Sequence, residues 1–207
     1  MLFRSGVATR PIEDFSAYRQ KLSEFVYNSA FMMKPIFAQA KTAPKRIAYA
    51  EGEDLRVLRA VQIAVDEGLA FPILVGRTAV IEANIKKLGL RLEHGVNIQI
   101  VDQEKNPDYE FFADDYYQIM QRKGVTPEYA HREARRRSTL IAAMLVKHGH
   151  ADGMLCGTYS SYDIHLDFVK NIIGLKEGRK NLFTLNALML EDRNLFIADT
   201  YINRNPT

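Results

Sequence analysis

Two polar segments of the chain carry side chains that could bind or transform a ligand, and each follows a short apolar run. The first is the acidic turn Glu51 to Asp54, with Arg56 just after it. The second begins at Gly157 and contains the polar side chains Thr158, Tyr159, Ser160, Ser161, Tyr162, Asp163 and His165. Hydroxyls and backbone N–H groups at a helix N-terminus suit phosphate or acyl oxygens, because these donors and the helix dipole favour negative charge. The same residue types are preferred as helix caps, so a capped turn is the alternative interpretation.

Arg56 is the cation of the first segment, and its residue type alone leaves its role open. It could bind an anionic ligand in the same cleft, or it could form an ion pair with Glu51 or Glu53. A surface pair of that kind stabilises a protein by about 0–1 kcal/mol, which is too small a gain to favour ion pairing over ligand binding as the role of Arg56.

Three further sets of residues favour structural roles. Cys156 follows apolar Met154 and Leu155, and we expect it to be buried as a small hydrophobic side chain. His148 and His150 have no cysteine or carboxylate cluster beside them, which favours a solvated helix end over a metal site. A run of arginines is interpreted as a solvated helix face, with phosphate contact as the alternative because guanidinium groups pair bidentately with phosphate oxygens. The run consists of Arg132, Arg135, Arg136 and Arg137.

Three named motifs of nucleotide and metal sites do not occur in the sequence. They are G-x-G-x-x-G after a strand, G-x-x-x-x-G-K-[ST] and H-E-x-x-H. The residues therefore indicate no dinucleotide site of the dehydrogenase type.

The elements that must position the two polar segments alternate between strands and helices. Short apolar runs predict four strands, at residues 47–50, 71–76, 97–102 and 154–156. The helices predicted between and after them run from a cap at Asp54 to Gly68, over 80–88, over 108–123, from a cap at Thr126 to near Gly149, and up to Gly174. This alternation indicates a mainly parallel sheet with helices on both faces. Both polar segments then lie at carboxyl ends of strands, where open α/β sheets bind ligands.

The two ends of the chain depart from this alternation. An amphipathic helix is predicted at Pro11 to Asn28, and a second helical pattern containing Pro35 follows, so we expect a break at 28–34. Residues 182–190 and 195–200 are strand-like and predict a hairpin, because the residues between them are turn-forming. The chain stops directly after a strand, and we expect both of its ends to be cut from a longer protein.

The composition is that of an ordinary globular protein, with 47% hydrophobic and 26% charged residues among 207. A net charge of +3 is too small for a dense basic footprint, so we expect no nucleic-acid partner. A single cysteine cannot form an internal disulfide, which favours a reducing compartment and makes the cytoplasm the expected location. The apolar runs are all shorter than the roughly 18 residues of a membrane span, so we expect no membrane partner.

Seven segments together carry a resemblance to a known family. In their order and spacing they resemble the phosphotransacetylase-like C-terminal domain of bacterial NADP-dependent malic enzymes, within the phosphate acetyl/butyryl transferase family. The segments are KRIAYAEGEDLRVLRAV, FPILVGR, KLGL, DYYQIMQRKGVT, ADGMLCGTYSSYDIH, VKNIIG and FIADTYIN. SGVATRPI, at Ser5 to Ile12, is similar to the point where the malic catalytic domain of those enzymes passes into a linker helix.

The resemblance implies an α/β fold like that of phosphate acetyltransferase, with the layering of isocitrate and isopropylmalate dehydrogenases, of which this chain holds an incomplete part. It implies a division into the tail of a malic catalytic domain (1–12), a linker helix (13–30) and the first part of a phosphotransacetylase-like domain (31–207). The catalytic Ser, Arg and Asp of active phosphate acetyltransferases belong to the later half of that domain, so we expect no catalytic residue here.

The resemblance also bears on individual residues. An arginine matching Arg56 is associated with coenzyme A in the family, whereas the arginines expected near Met120 and within His165 to Asp167 are missing from this sequence. We therefore expect binding of an acyl-CoA or its phosphates without transacetylase turnover. The predicted binding residues are Glu51, Arg56, Gly157, Thr158, Ser160, Ser161, Asp163 and His165.

The function implied is that of a regulatory domain of an NADP-dependent, oxaloacetate-decarboxylating malic enzyme. It would bind acetyl-CoA as an allosteric effector and aid assembly of a homo-oligomer. Its partner in cis would be the malic catalytic domain, which converts malate to pyruvate and CO2 and alone holds NADP and Mg²⁺ or Mn²⁺. Two alternatives stay open: a catalytically active phosphate acetyltransferase, and an oligomerisation module with a vestigial cleft.

Overall fold

The computed structural model of the chain describes residues 14–190 and 193–203, with the backbone alone over 19–32. The chain divides into two compact units, one formed by residues 1–38 with 181–207 and the other by residues 39–180. The candidate binding residues all belong to the second unit. The segment that resembles the end of a malic catalytic domain, Ser5 to Ile12, lies outside the described residues.

A four-stranded parallel sheet forms the centre of the second unit. Its strands are β1 (Lys45–Tyr49), β2 (Ala70–Val75), β3 (Gln99–Val101) and β4 (Gly153–Leu155). They lie in the order β3-β2-β1-β4, with every neighbouring pair parallel, so the predicted parallel sheet is confirmed. The chain moves outward from β1 to β3 and then returns to the other side of β1. The β1–β4 boundary is therefore the topological switch point, where sheets of this kind open a ligand crevice.

Helices cover both faces of this sheet. They are α2 (Leu55–Asp66), α3 (Thr78–Leu88), α4 (Tyr109–Met120), α5 (Pro127–Arg136), α6 (Ser138–Lys147) and α7 (Tyr162–Phe168). The predicted boundaries at Asp54, Gly89 and Thr126 are confirmed. Asp54 accepts a hydrogen bond from the N–H of Arg56, Gly89 ends α3 in the left-handed region, and the Thr126 hydroxyl accepts from Tyr129 N–H. A π-helical turn, Val169–Ile173, extends α7 to Gly174.

The single long helix predicted from Thr126 to Gly149 is wrong, because Arg137 divides it into α5 and α6. Arg137 has φ −114° and ψ 96°, which is extended backbone, and it is at once the last cap of α5 and the first of α6. The two helices differ in burial, since α5 is strongly polar whereas Thr139 to Leu145 of α6 are all buried. A single straight helix could not expose the polar residues of α5 to solvent and also bury every side of α6 in the core.

Two hydrophobic clusters, one formed largely with α4, α5 and α6 and the other with α2 and α3, hold the helices on the sheet. Phe112, Ile141 and Met144 belong to the first cluster and are at most 1% exposed. Leu58, Val61 and Ile81 belong to the second and are fully buried. Burial of one such side chain contributes about 1.5–3 kcal/mol relative to exposure, so the clusters fix the strand ends that carry the polar loops.

His148 is not the solvated helix end that its sequence neighbours predict. Its Nε2 atom lies 2.9 Å from Oδ2 of Asp115, and its ring stacks on Phe112 with centroids 5.8 Å apart. The pattern failed here because the aromatic side chains of α4, which half-bury the imidazole, are distant in sequence. Burial of Cys156 is only partial, at an intermediate level.

The first unit contains a long helix and a hairpin. Helix α1 (Phe15–Thr42) begins in it and runs continuously through 28–34, so the break predicted there is wrong. Pro35 lies inside that helix, where the missing proline N–H removes one backbone hydrogen bond without ending the helix. Strands β5 (Leu185–Met189) and β6 (Asn194–Ala198) pair antiparallel, which confirms the hairpin. Across the residues that the structure describes, no helix has the length and apolar character needed to cross a membrane.

Candidate functional site

The two polar segments, far apart in sequence, meet at the switch point. Glu51 follows β1 and is only 4% exposed, and its Oε1 accepts a 2.8 Å hydrogen bond from the N–H of Gly157, which follows β4. Arg56, in the first turn of α2, donates from Nη2 to the carbonyl of Thr158 at 3.2 Å. The sheet order therefore brings four of the predicted residues into direct contact.

Arg56 is held at the mouth of this cleft by Asp54 rather than by Glu51 or Glu53, so the predicted pairing partners are wrong. Its Nε and Nη2 atoms donate to the two carboxylate oxygens of Asp54 at 3.0 and 2.7 Å. The guanidinium lowers the pKa of Asp54 to about 2, because the paired charge and the donated hydrogen bonds favour the ionised carboxylate. Arg56 keeps 68% of its side chain exposed, which leaves it accessible to a ligand.

Glu53 belongs to a second ion pair on the same loop. Its carboxylate accepts from Nε and Nη2 of Arg77 at 2.9 and 2.8 Å and from the Arg77 backbone N–H at 2.8 Å. These bonds lower the pKa of the Glu53 carboxyl. The pair joins the loop after β1 to the start of α3 and leaves neither charge free.

Gly52 allows the loop after β1 to lie directly against the end of β2. Its N–H donates to the carbonyl of Val75 at 3.1 Å, and a Cβ at this position would stand 2.8 Å from the same oxygen. Only glycine fits such an approach. The close contact fixes the height of Glu51 and Asp54 above the sheet.

His165 locks the loop after β4. It is 8% exposed, with Nε2 lying 2.7 Å from the carbonyl of Tyr159 and Nδ1 lying 2.8 Å from the hydroxyl of Thr139. Because a carbonyl can only accept, Nε2 carries a proton, and in the neutral imidazole Nδ1 then accepts from the hydroxyl of Thr139. Both nitrogens are engaged, so the imidazole positions the loop rather than offering a free base.

The loop itself is backbone-constrained. Gly157 has φ +106° and Ser160 has φ +72°, a left-handed conformation that is uncommon for serine. Ser161 occupies the first position before α7 but its side chain makes no capping hydrogen bond, so the capped-turn alternative is wrong for this residue. Ser161 and Asp163 are both exposed, and within residues 14–190 no hydrogen bond or ion pair of their side chains joins them to the other six predicted residues.

Two cavities adjoin this loop. The polar cavity, of about 480 Å³, is lined by Glu51 and Tyr159 together with charged residues that follow β1, β2 and β3. The apolar cavity, of about 450 Å³, is lined by Cys156, Gly157, Ser160, His165, Leu166 and Val169, among others. Burial and the nearby Glu51 charge raise the pKa of the Cys156 thiol to about 11, so it lines the cavity as an uncharged, unreactive group.

Sequence reasoning missed the residues of the polar cavity that do not follow β1 or β4. They include Arg77 after β2, Gln103 after β3, and Arg135, Arg136 and Ser138 at the junction of α5 and α6. Arg77 and Gln103 could have been found from the sequence, because each directly follows a predicted strand. Arg135 and Arg136 belong to the arginine run, for which phosphate contact is the alternative interpretation. The interpretation of the run as a solvated face holds for Arg132, whose guanidinium carbon lies 5.0 Å from the centroid of the Tyr129 ring.

Comparison with known proteins shows the family of this chain. The model of the phosphate acetyl/butaryl transferase family matches residues 31–207. The chain belongs to that family. The resemblance carried by the seven sequence segments is thereby confirmed, and so is the expected fold.

The similar proteins of known name include malic enzymes. The chain is 50% identical to NADP-dependent malic enzyme from Haemophilus influenzae over 203 residues, 98% of this chain and 27% of that protein. It is 50% identical to the Escherichia coli NADP-dependent malic enzyme over 202 residues, with the same coverage. NAD-dependent malic enzyme from Rhizobium meliloti is 45% identical over 204 residues, 98% of this chain and 26% of that protein. The chain thus spans about a quarter of these relatives and corresponds to their C-terminal, phosphotransacetylase-like part.

Solved structures of the family share the fold. A phosphotransacetylase from Streptococcus pyogenes superposes with a TM-score of 0.72 at 25% identity, over 84% of this chain and 54% of that one. EutD phosphotransacetylase from Staphylococcus aureus gives 0.69 at 22% identity, over 84% of this chain and 52% of that one, and this likeness shows the fold alone.

In this phosphate acetyl/butaryl transferase family member, the resemblance implies arginines near Met120 and within His165 to Asp167, and these residues line two different cavities. Met120 and Asp167 line one cavity of about 250 Å³ with Glu133 and Arg137. Arg137 pairs with Glu133 there, with 3.2 Å between Nε and Oε2. His165 and Leu166 line the apolar cavity instead, so the two departures from the family pattern share a cavity only through Asp167.

Proposed function

We propose that this chain is the regulatory, phosphotransacetylase-like part of an NADP-dependent malic enzyme, and that it binds acetyl-CoA as an allosteric effector. The observation that carries the proposal is the junction at the switch point, where Arg56 is held by Asp54 beside the loop that begins at Gly157. The remainder of the protein would convert malate to pyruvate and CO2 with NADP and Mg²⁺ or Mn²⁺, in the cytoplasm. The predicted division at residues 12 and 30 belongs to this proposal.

The cleft supports binding of an acyl-CoA through complementary surfaces. Arg56 offers an exposed guanidinium, which suits a phosphate oxygen. The apolar cavity beside Gly157 and Ser160 suits an uncharged chain of the kind that links the acyl group of a CoA ester to its phosphates. Six of the eight predicted residues, all except Ser161 and Asp163, lie around these surfaces.

Binding without turnover is the form of activity that the residues favour. Two of the arginines that the family resemblance implies, one near Met120 and one within His165 to Asp167, are missing from the chain. A guanidinium aimed at a phosphate stabilises charge that develops in the transition state, and its loss removes that stabilisation while leaving other binding groups in place. We therefore propose no catalytic residue within this chain.

Regulation requires that acetyl-CoA favour one global state of the malic enzyme over another. Coupling of this kind is typically worth 1–3 kcal/mol, or roughly 5- to 150-fold in affinity. We propose that acetyl-CoA restrains the enzyme. Titration of acetyl-CoA into the full-length protein, with malate-dependent NADPH formation as the readout, should lower the rate; a constant rate up to millimolar acetyl-CoA would remove the regulatory role.

Active phosphate acetyltransferase is the second candidate, favoured by the solved phosphotransacetylases and by a Synechocystis phosphate acetyltransferase that is 30% identical over 88% of this chain. Its test is formation of acetyl phosphate from acetyl-CoA and phosphate by the full-length protein. Turnover at the rate of a known phosphate acetyltransferase would favour this candidate over the regulatory one.

Assembly is the other part of the proposed role. The β5–β6 hairpin exposes large apolar side chains, among them Leu185, Phe196 and Ile197. A two-stranded hairpin is marginally stable alone, so these strands need a covering surface. We propose that this surface forms in the full-length homo-oligomer, and its mass in solution provides the test.

A further inference from the structure

The neighbouring helices α4 and α5 carry two stripes of opposite charge on their exposed surface, which we call the α4–α5 face. On α4, Glu110 and Asp114 lie one turn apart, and their side chains are 71% and 70% exposed. On α5, Arg132, Arg135 and Arg136 are exposed and lie within one turn of each other. The two helices pack against each other, so the acidic stripe runs beside the basic one.

His131 lies between the two stripes and shows how they are aligned. Its Nε2 atom is 3.2 Å from Oδ1 of Asp114, and its Nδ1 atom is 3.4 Å from Oε2 of Glu110. One turn later on α5, the guanidinium carbon of Arg135 lies 5.1 Å from the ring centroid of Tyr109, which precedes Glu110 in sequence. Asp114 is therefore level with the middle of α5, and Glu110 is level with its C-terminal end.

The three arginines of the α4–α5 face have no acidic partner in the described part of the chain. No carboxylate there lies within ion-pair distance of their guanidinium groups. Aromatic rings hold two of them, since Arg132 lies over the Tyr129 ring, with 5.0 Å from guanidinium carbon to centroid, and Arg135 lies over Tyr109. Side chains that are already ordered lose less conformational entropy when a partner binds.

Other charged side chains of the same two helices are paired within the chain. Arg137, which follows α5, pairs with Glu133, with 3.2 Å between Nε and Oε2. Asp115 of α4 lies 2.9 Å from Nε2 of His148 and 3.3 Å from Nζ of Lys147. The open charge of α4 and α5 is thus concentrated on the face that they present to solvent.

A second copy of the same face supplies the missing partners of both stripes. A two-fold axis parallel to the helices, between α4 and α5, places α4 of one copy on α5 of the other and keeps their levels equal. Asp114 then meets the middle of α5 at Arg132, and Glu110 meets its end at Arg135. Each pair forms twice, because an interface with two-fold symmetry is self-complementary.

We propose that the α4–α5 face is a contact between two copies of this chain, in which Asp114 and Glu110 of one copy pair with Arg132 and Arg135 of the other. A second copy fits better than a wholly acidic or wholly basic partner, because such a partner would match one stripe and repel the other. Helices of 12 and 10 residues are roughly 18 and 15 Å long. The face is therefore smaller than the ~800 Å² per partner of a standard interface. The contact strengthens the homo-oligomer proposed above, on which it rests, through residues other than those of the hairpin.

Charge reversal in the full-length protein tests the contact, with analytical ultracentrifugation over a concentration series as the readout of association. Asp114→Arg and Arg132→Glu should each weaken association at least tenfold, because each variant places like charges opposite one another at two symmetric positions. The double variant carrying both substitutions should return to within threefold of wild type, since opposite charges face each other again. Arg59→Glu, at an exposed position of α2, is the matched control and should change association less than twofold.

Salt provides a second readout that needs no substitution. Raising the ionic strength from about 0.1 M to 1 M shortens the Debye length from ~10 to ~3 Å, so association of the wild type should weaken. The same change should have less effect on Arg132→Glu, which has already lost the attraction. A contact formed by the apolar hairpin alone should not weaken in salt.

Three outcomes would overturn the contact, and they differ in what else they remove. Equal association of the wild type, both single variants and the double variant would leave assembly through the hairpin intact. Weakening in both single variants without recovery in the double variant would assign the face to a different cover, either another part of the full-length chain or a different protein. A full-length protein that is monomeric at every concentration would remove the proposed homo-oligomer as well.

Discussion

Asp54 is the residue that decides what Arg56 can do. Its Oδ1 caps α2 through the N–H of Arg56, and the same carboxylate holds the Arg56 guanidinium. The sequence predicted both residues and the cap, but not the pair. Asp54, Glu51 and Glu53 all lie within a few residues of Arg56 in sequence. Which of them pairs with Arg56 depends on the conformation of the loop, which the local sequence pattern does not predict.

Substitution of Arg56 tests whether this arrangement serves a ligand. Arg56→Ala should weaken acetyl-CoA binding at least tenfold, because a charge-assisted hydrogen bond is worth roughly 1.5–3 kcal/mol. The stability should fall by at most about 1 kcal/mol, because the substitution also removes the exposed ion pair with Asp54. Arg59→Ala, an exposed arginine one turn later on α2, is the control. Equal affinities in the two variants, measured by calorimetry on the full-length protein, would leave Arg56 without a binding role.

The pKa of Asp54 predicts a defined pH dependence of stability. The folded state lowers it from 3.8 to about 2, so the ionised pair contributes stability above the unfolded pKa and loses it as the pH falls through the folded one. Wild type should therefore be more stable than Asp54→Asn at pH 7, and the difference should disappear between about pH 4 and pH 2. Urea unfolding at pH 7, 4 and 2.5 measures it. A difference that is independent of pH would show that the charge contributes nothing.

At the scale of elements, the loop after β1 depends on contact between backbones. A Cβ at Gly52 would stand 2.8 Å from the Val75 oxygen and 3.0 Å from Leu74 Cβ. Gly52→Ala should therefore destabilise the protein by about 1–3 kcal/mol through overpacking. At Gly153 in β4 a Cβ would meet only Ile47 Cδ1, at 3.5 Å, so Gly153→Ala is a matched control with little expected cost. Chemical denaturation measures the free energy of unfolding of both variants. Equal values would contradict the close approach of Gly52 to Val75.

The loop after β4 depends on a buried side-chain network instead. Thr139→Val keeps the shape of the side chain but removes the hydroxyl that donates to His165 Nδ1. A buried acceptor without a donor should cost about 1–3 kcal/mol, and the loop from Gly157 to Ser161 should exchange its amide hydrogens faster. Hydrogen exchange followed by mass spectrometry measures this. Thr126→Ala, at the cap of α5, is the comparison, because it should cost about 1 kcal/mol without affecting that loop.

Local pattern predicted most elements and failed where an interruption has no marker in the sequence. Gly89 marks the C-terminal end of α3 and the Thr126-Pro127 pair marks the start of α5, and those two predictions are confirmed. Arg137 interrupts the helix without proline or glycine, because the need to bury α6 outweighs helix propensity at one residue. Pro35 shows the reverse, a strong marker inside a continuous helix.

At the scale of the whole molecule, alternation of strands and helices predicted a parallel sheet but not the order of its strands. The position of β4 beside β1 joins residues about a hundred apart, through the Ile47–Gly153 register. That order created the candidate site, since it placed Gly157 against Glu51. It also brought Arg135 and Arg136 of α5 into the polar cavity with residues that follow the strands, which no periodicity within α5 could indicate.

The β5–β6 hairpin leads to the last prediction, because its ten strand residues are all exposed in the chain described here. Apolar side chains on both faces of a two-stranded ribbon gain little from burial unless another surface covers them. In residues 1–207 expressed alone, hairpin amides should exchange within seconds while those of β1 and β2 are protected. In the full-length protein the hairpin should gain protection by at least two orders of magnitude, because covering strands or a second copy must unfold first. Hydrogen exchange on both proteins at several concentrations distinguishes the two covers, since only a second copy makes protection depend on concentration. Full protection of the hairpin in the short chain at low concentration would contradict the need for any cover.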